Sequence, residues 1–95
     1  MIAKTYNGYK NWETWITAMN YDNVLYDLAK AYIKNGLTYE AYCAEVEDLI
    51  RRDTYSGVKF PSEYTLVGEF VMAALRDVDF DHLANSGWEN AQNDM

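Results

Sequence analysis

The sequence holds one cysteine, one proline and one histidine in 95 residues, and each scarcity excludes something. A lone Cys43 cannot close an intramolecular disulfide. Its neighbours Tyr42, Val46 and Leu49 mark it as a small buried hydrophobe and not a reactive thiol. One Cys and one His do not make a zinc set without carboxylates or a second chain. His82, flanked by Asp79 and Asp81, has no nucleophile and orienting group beside it in the sequence, so no catalytic residue is assigned. The five glycines are scattered as turn and cap residues, which excludes a phosphate-cradling loop. No stretch approaches the roughly 18 apolar residues a membrane span requires. Met1 to Asn7 contains no apolar stretch of signal-peptide length, and the expected location is the cytoplasm. Cations are scarce too. Eight Lys and Arg face fifteen Asp and Glu, a net charge of −7, so nucleic acid is not expected as a direct ligand.

Aromatic residues, by contrast, are plentiful at 16%, with nine Tyr and three Trp, and hydrophobic residues make up 49%. That composition suits one globular domain spanning residues 1–95. Tyr6-Asn7-Gly8-Tyr9 carries a turn signal, because Asn-Gly readily takes positive φ. Residues 1–10 therefore read as a short extended arm. Asn11 is an N-cap candidate, followed by Trp12, Trp15, Ile16 and Met19 at helical spacing. This stripe predicts a core face, with one of the two tryptophans at its rim. Asn20-Tyr21-Asp22-Asn23 interrupts it with side-chain acceptors that compete with helix. Asp22 is then expected to cap a second helix that closes at Asn35-Gly36.

Thr38 caps a third helix through Tyr39, Tyr42, Cys43, Val46, Leu49 and Ile50. Glu47 and Asp48 precede Arg51 and Arg52 by four residues, the favourable order for helical ion pairs. This helix is expected to end near Arg52, with a loop from Asp53 to Pro61. Ser62 caps a fourth helix whose broad apolar face, Leu66 through Leu75, predicts a central position. A short fifth helix starts near Asp79, turns Phe80, Leu83 and Ala84 inward and ends at Ser86-Gly87. Residues 92–95 are expected to fray. The expected fold class is all-α, a compact bundle of about five short helices behind a short extended arm.

Asp77-Val78-Asp79-Phe80-Asp81 opens like a calcium-binding loop but fails the pattern. His82 stands where the loop needs glycine, and Trp88 where it needs glutamate. No metal or other cofactor is expected. The charge distribution says more. Residues 63–95 carry seven acids, Glu63, Glu69, Asp77, Asp79, Asp81, Glu89 and Asp94, against Arg76, a net of −6. Two readings fit this surplus. It is a solvated surface that keeps the domain dissolved, or it complements the basic surface of a partner.

Asn11-Trp12-Glu13-Thr14-Trp15, then Ala18-Met19 and Asp22-Asn23 before Leu25-Tyr26, resembles the opening of a family of small proteins from phages, plasmids and bacteria. Tyr6-Asn7-Gly8 fits that opening, and Val78 to Ala84 resembles the family's closing segment. The chain departs from the pattern at Asn20, where the family has a second Trp, and it is shorter around Asn23-Val24. The resemblance implies a mobile-element protein, and by analogy an inhibitor of host defence of the anti-CRISPR type.

The expected function is stoichiometric inhibition of a host nucleic-acid-guided defence system, within the host cytoplasm. The partner is a host protein or ribonucleoprotein effector with a basic surface; a membrane is not involved. Glu63, Glu69, Asp77, Asp79 and Asp81 would meet Lys and Arg of the effector. Tyr55 and Tyr64, expected to be exposed, would add amphipathic contact area. The alternative is a phage regulatory or structural interaction module, which allows a homodimer through the leftover apolar face of the fourth helix at Phe70 and Val71.

Overall fold

The structure, a computed structural model, describes residues 8–57 and 66–95. Four helices follow one another: α1 (Trp12–Lys34), α2 (Tyr39–Gly57), α3 (Leu66–Asp77) and α4 (Phe80–Asn93). No strand occurs among the described residues, and the class is all-α. The expected arm at 1–10 lies outside the described residues except for Gly8, Tyr9 and Lys10. Gly8 takes φ +91°, the left-handed conformation its Asn-Gly context favours.

Caps begin and end these helices where the local chemistry predicts. Asn11 accepts the Thr14 N–H at 2.9 Å, and Thr38 accepts the Ala41 N–H at 3.1 Å. Asp79 accepts the His82 N–H at 3.1 Å and so starts α4. At the end of α1, Gly36 has φ +70°. Its N–H donates to the Ile33 carbonyl and the Leu37 N–H to that of Tyr32. This pair of bonds satisfies carbonyls that the helix end leaves open.

Among the described residues there are four helices, not about five, because Asn20 to Asn23 do not interrupt α1. The Asn20 amide donates to the Ile16 carbonyl 2.8 Å away, one turn back. Its polar group thus stays within the helix, and Tyr21 continues the chain against the core. Asp22 is an exposed mid-helix residue, not a cap. Two further boundaries move. α2 runs past Arg52 to Gly57, with the Thr54 hydroxyl donating to the Ile50 carbonyl at 2.6 Å. α4 passes through Ser86-Gly87 and reaches Asn93.

α1 packs most extensively on α4. Thr14 bonds to Asp79 at one end of this pair and Tyr26 to Asp94 at the other, so the two helices run parallel. Small side chains line the contact: Ala18 and Ala29 on α1, Ala84, Gly87 and Ala91 on α4 are all buried. Small residues let helix axes approach closely. Leu25 and Leu83 fill the space between them.

α2 closes the core with Tyr42, Val46 and Ile50, which are almost fully buried. The Tyr42 hydroxyl donates to the Leu25 carbonyl at 3.0 Å. Its ring lies 5.2 Å from that of Trp88 and 6.0 Å from that of Tyr32, the latter edge-on, arrangements that add to the burial itself. Cys43 beside it is half-buried, not fully enclosed.

The apolar stripes of α1 and α3 are not placed as their periodicity implies. On α1 the buried line is Thr14, Ala18, Leu25 and Ala29, while Trp12 is 49% exposed and Met19 is exposed as well. α3 is peripheral, not central: Leu66 is 66% and Phe70 65% exposed, and Leu75 is its buried anchor. Periodicity identifies an apolar face but not its neighbour. The small residues of α4 fit α1 more closely than the bulky face of α3 does.

Burial sets an alkaline limit on this core. It raises the Tyr39 phenol to about 12 from 10.0, helped by the hydrogen bond with Cys43 and by the charges of Cys43, Asp81 and Glu89. Tyr42 is raised as well, by burial first and then by Cys43 and Tyr39. A phenol raised on folding stabilises fully below its unfolded value, and that contribution is lost as pH climbs through the folded one. Urea midpoints are therefore expected to fall from pH 10.0 towards about 12, with a shallower fall in Tyr39→Phe. An equally steep fall in that variant would contradict the assignment.

Candidate functional site

Asn11, Thr14 and Lys10 join the start of α1 to the α3–α4 junction. The Asn11 amide donates to the Asp77 carbonyl at 2.6 Å while its oxygen caps α1. The Asp79 N–H donates to the Thr14 hydroxyl at 2.8 Å. Lys10 pairs with the Asp79 carboxylate at 3.6 Å. Two residues of the Asn11–Trp15 segment thus serve as a clasp. Trp12 and Glu13 are left facing a groove.

That groove, about 600 Å³, lies between α1, α2 and α3. Trp12, Ile16 and Val24 form its α1 wall, Ile50 its α2 floor, and Val71, Ala74 and Leu75 its α3 side. Hydroxyl and amide groups along it are already engaged. Thr17 donates to the Glu13 carbonyl, Thr54 to that of Ile50 and Asn20 to that of Ile16. Tyr21 donates to the Asp53 carboxylate at 3.3 Å. Burial raises the Tyr21 phenol, and the Asp53 charge and hydrogen bond add to the rise, so the phenol remains a neutral donor. Among the described residues the charged members of the lining are Glu13 and Asp53, and no Lys or Arg lines it.

The arginines nearest Asp53 in sequence are engaged elsewhere. Arg51 pairs with Glu47 at 2.9 Å and lies over the Phe80 ring. Arg52 pairs with Asp48 and Glu45. A smaller, more polar cleft of about 390 Å³ opens between α1 and α4 beside Tyr9, Asp22, Ser86 and Asn90. Among the described residues no three His, Cys, Asp or Glu converge to hold a metal ion. His82 stacks on Tyr9, ring centroids 4.8 Å apart. No described helix is long and apolar enough to cross a membrane.

Five of the residues expected from the sequence to meet a partner, Tyr55, Glu69, Asp77, Asp79 and Asp81, fall among the described residues. Glu63 and Tyr64 lie outside the described residues. Glu69 is exposed on α3, Asp77 is exposed at its end and Asp81 is exposed in the first turn of α4. Asp79 is half-buried and engaged as cap and ion-pair partner. Tyr55 is half-buried, with its hydroxyl on the Met72 sulfur, and so joins α2 to α3 instead of standing exposed. Asp94 accepts the Tyr26 hydroxyl at the far end of α4. Fourteen helical residues separate the ends of α4, about 20 Å. The groove itself was missed, although a signal exists. α1 carries apolar residues on two faces, and a core covers one.

Comparison with curated proteins and with solved structures gives no match. The model of a family of unknown function, DUF7249, matches residues 2–65, about two thirds of the chain. That stretch contains α1, α2 and both carboxylates of the groove, Glu13 and Asp53. The chain belongs to the family of unknown function DUF7249.

Proposed function

We propose that this protein is a stoichiometric inhibitor of a nucleic-acid-guided defence system, of the anti-CRISPR type, acting on an effector with a basic surface. The observation that carries the reading is charge left over after folding. Glu69, Asp77 and Asp81 are exposed and make no ion pair among the described residues, whereas Asp79 and the α2 acids Glu45, Glu47 and Asp48 do. Exposed carboxylates of this kind steer and accelerate association with a cationic surface.

The test is target cleavage by host guided-nuclease complexes titrated with the purified chain. Inhibition is expected to saturate at a fixed stoichiometry and to weaken as salt rises. Reversal of Glu69, Asp77 and Asp81 to Lys is expected to weaken inhibition at least about tenfold. Asp79 stays unchanged because its loss would uncap α4. Full inhibition by the reversed variant would refute the electrostatic mechanism.

One observation favours a second reading, a phage regulatory or structural module that forms a homodimer. Leu66, Val67 and Phe70 leave an apolar face of α3 exposed, and such faces mark association sites. Light scattering across concentration separates the two. A dimer that Phe70→Asp dissociates supports the second reading.

A further inference from the structure

We infer that the groove between α1, α2 and α3 is the docking site for an amphipathic, cationic helix of a partner protein. This inference deepens the binding reading above and rests on it. Three features of the groove specify the occupant. Its walls are apolar, and one of them, Val24, is 46% exposed while Trp12 stands open at the end. Its polar side chains already donate to Glu13, Ile16 and Ile50 carbonyls or to Asp53. An apolar occupant therefore leaves none of these donors without a partner. What remains is a pair of carboxylates, Glu13 and Asp53, with no cation among the described lining residues. Burying them under an apolar or acidic segment would be costly, whereas Lys or Arg at the edges of an apolar stripe would pair with them.

Length and charge narrow the choice further. The α1 wall runs from Trp12 to Val24, about 18 Å at helical rise, or roughly three turns of a docked helix with anchors at i, i+3 or i+4, and i+7. A second copy of this chain is a poor occupant. Its exposed apolar helix, α3, carries Glu69 and Asp77 against Arg76, which would bring acids to the carboxylates of the groove.

The test uses the full chain and three synthetic peptides of about 18 residues, longer than the roughly 12 that span the groove, so that their ends project beyond it. One is a Leu/Lys peptide with Leu on one helical face. The second has the same composition scrambled, and the third replaces Lys with Glu. Binding is read by calorimetry at two salt concentrations and by chemical shifts of the groove methyl groups. The facially amphipathic cationic peptide is expected to bind at least about tenfold more tightly than either control and to shift the Val24, Val71 and Ala74 methyls. Val24→Arg, a surface change checked by circular dichroism, is expected to weaken it about tenfold. The pair Glu13→Gln and Asp53→Asn is expected to weaken it severalfold and flatten its salt dependence.

Binding that ignores Val24→Arg, or that matches the scrambled peptide, would overturn the groove assignment. So would a dimer of the free chain that Val24→Arg disrupts. Failure of the inhibition reading is separable from failure of the groove. The parent chain would then leave target cleavage untouched at every stoichiometry while the peptide still shifts the groove methyls.

Discussion

Gly87→Ala is expected to lower the melting temperature by roughly 10–20 °C, although alanine is the better helix former. An added Cβ at Gly87 would lie 2.4 Å from the Tyr42 hydroxyl oxygen and 3.4 Å from the Leu25 Cβ. The first distance is impossible for packed atoms, so Tyr42 must move. Tyr42 has nowhere to go. It is fully buried, its ring meets Trp88, and its hydroxyl is bonded to the Leu25 carbonyl. Overpacking and the lost hydrogen bond together cost about 3–4 kcal/mol, offset by about 1 kcal/mol of helix propensity.

Tyr42→Phe makes the test specific. It removes the clashing oxygen, while the Leu25 carbonyl keeps its place in the α1 hydrogen-bond ladder. Gly87→Ala combined with Tyr42→Phe is therefore expected to melt above Gly87→Ala alone, a non-additivity of at least about 1 kcal/mol. Thermal melts of the four proteins decide it. Gly87→Ala melting at or above the parent would show that α1 and α4 are not as close as the structure places them.

Gly87 also marks the boundary of what sequence reasoning reaches. Caps were legible, because capping is chemistry within three or four residues: Asn11, Thr38, Asn35-Gly36 and Asp79 all act where local rules put them. So were the Glu47–Arg51 and Asp48–Arg52 pairs, which depend on one helical turn. The burial of Tyr42, Val46 and Ile50 and of Leu83 and Ala84 was legible too, whereas helix continuity and the choice of packing neighbour, which are decided between helices, were not. Asn20 to Asn23 read as a break because their side chains offer local alternatives to helix. In the fold Asn20 bonds back along α1 and Tyr21 joins the core. Ser86-Gly87 read as a stop because glycine usually ends helices, but here the missing Cβ admits Tyr42.

The candidate site divides in the same way. The acid surplus of the last third is visible in composition. Which acids stay available is not, since Asp77, Asp79 and Asp81 alternate identically in sequence. Asp79 turns inward to cap α4 and meet Lys10, whereas Asp77 and Asp81 remain exposed. The groove was only half legible: the second apolar face of α1 hints at it, but its walls do not follow from that face alone. It requires α3 to stand off from α1, and the apolar face of α3 gives no hint of that. Leaving Phe70 and Leu66 exposed costs stability, and a bound partner that covered them would recover it.

Thr14→Val is expected to cost about 2 kcal/mol, more than Thr14→Ser, although valine matches threonine in shape and serine does not. The reason is the single hydroxyl at the clasp. Thr14 is fully buried and its oxygen accepts the Asp79 N–H at 2.8 Å. Valine takes away that acceptor and leaves a sheltered backbone donor without a partner, a penalty of about 1–3 kcal/mol. Serine keeps the oxygen and loses one methyl group, worth about 1 kcal/mol of burial. The order parent, Ser, Val is thus the reverse of what packing alone would produce. Amide exchange locates the effect: in Thr14→Val the first turn of α4, from Asp79 to Leu83, should exchange faster while α2 is unchanged. Equal stability of the Ser and Val variants would mean that the hydroxyl does not hold the α3–α4 junction. The way the clasp turns Trp12 and Glu13 towards the groove would then need another cause.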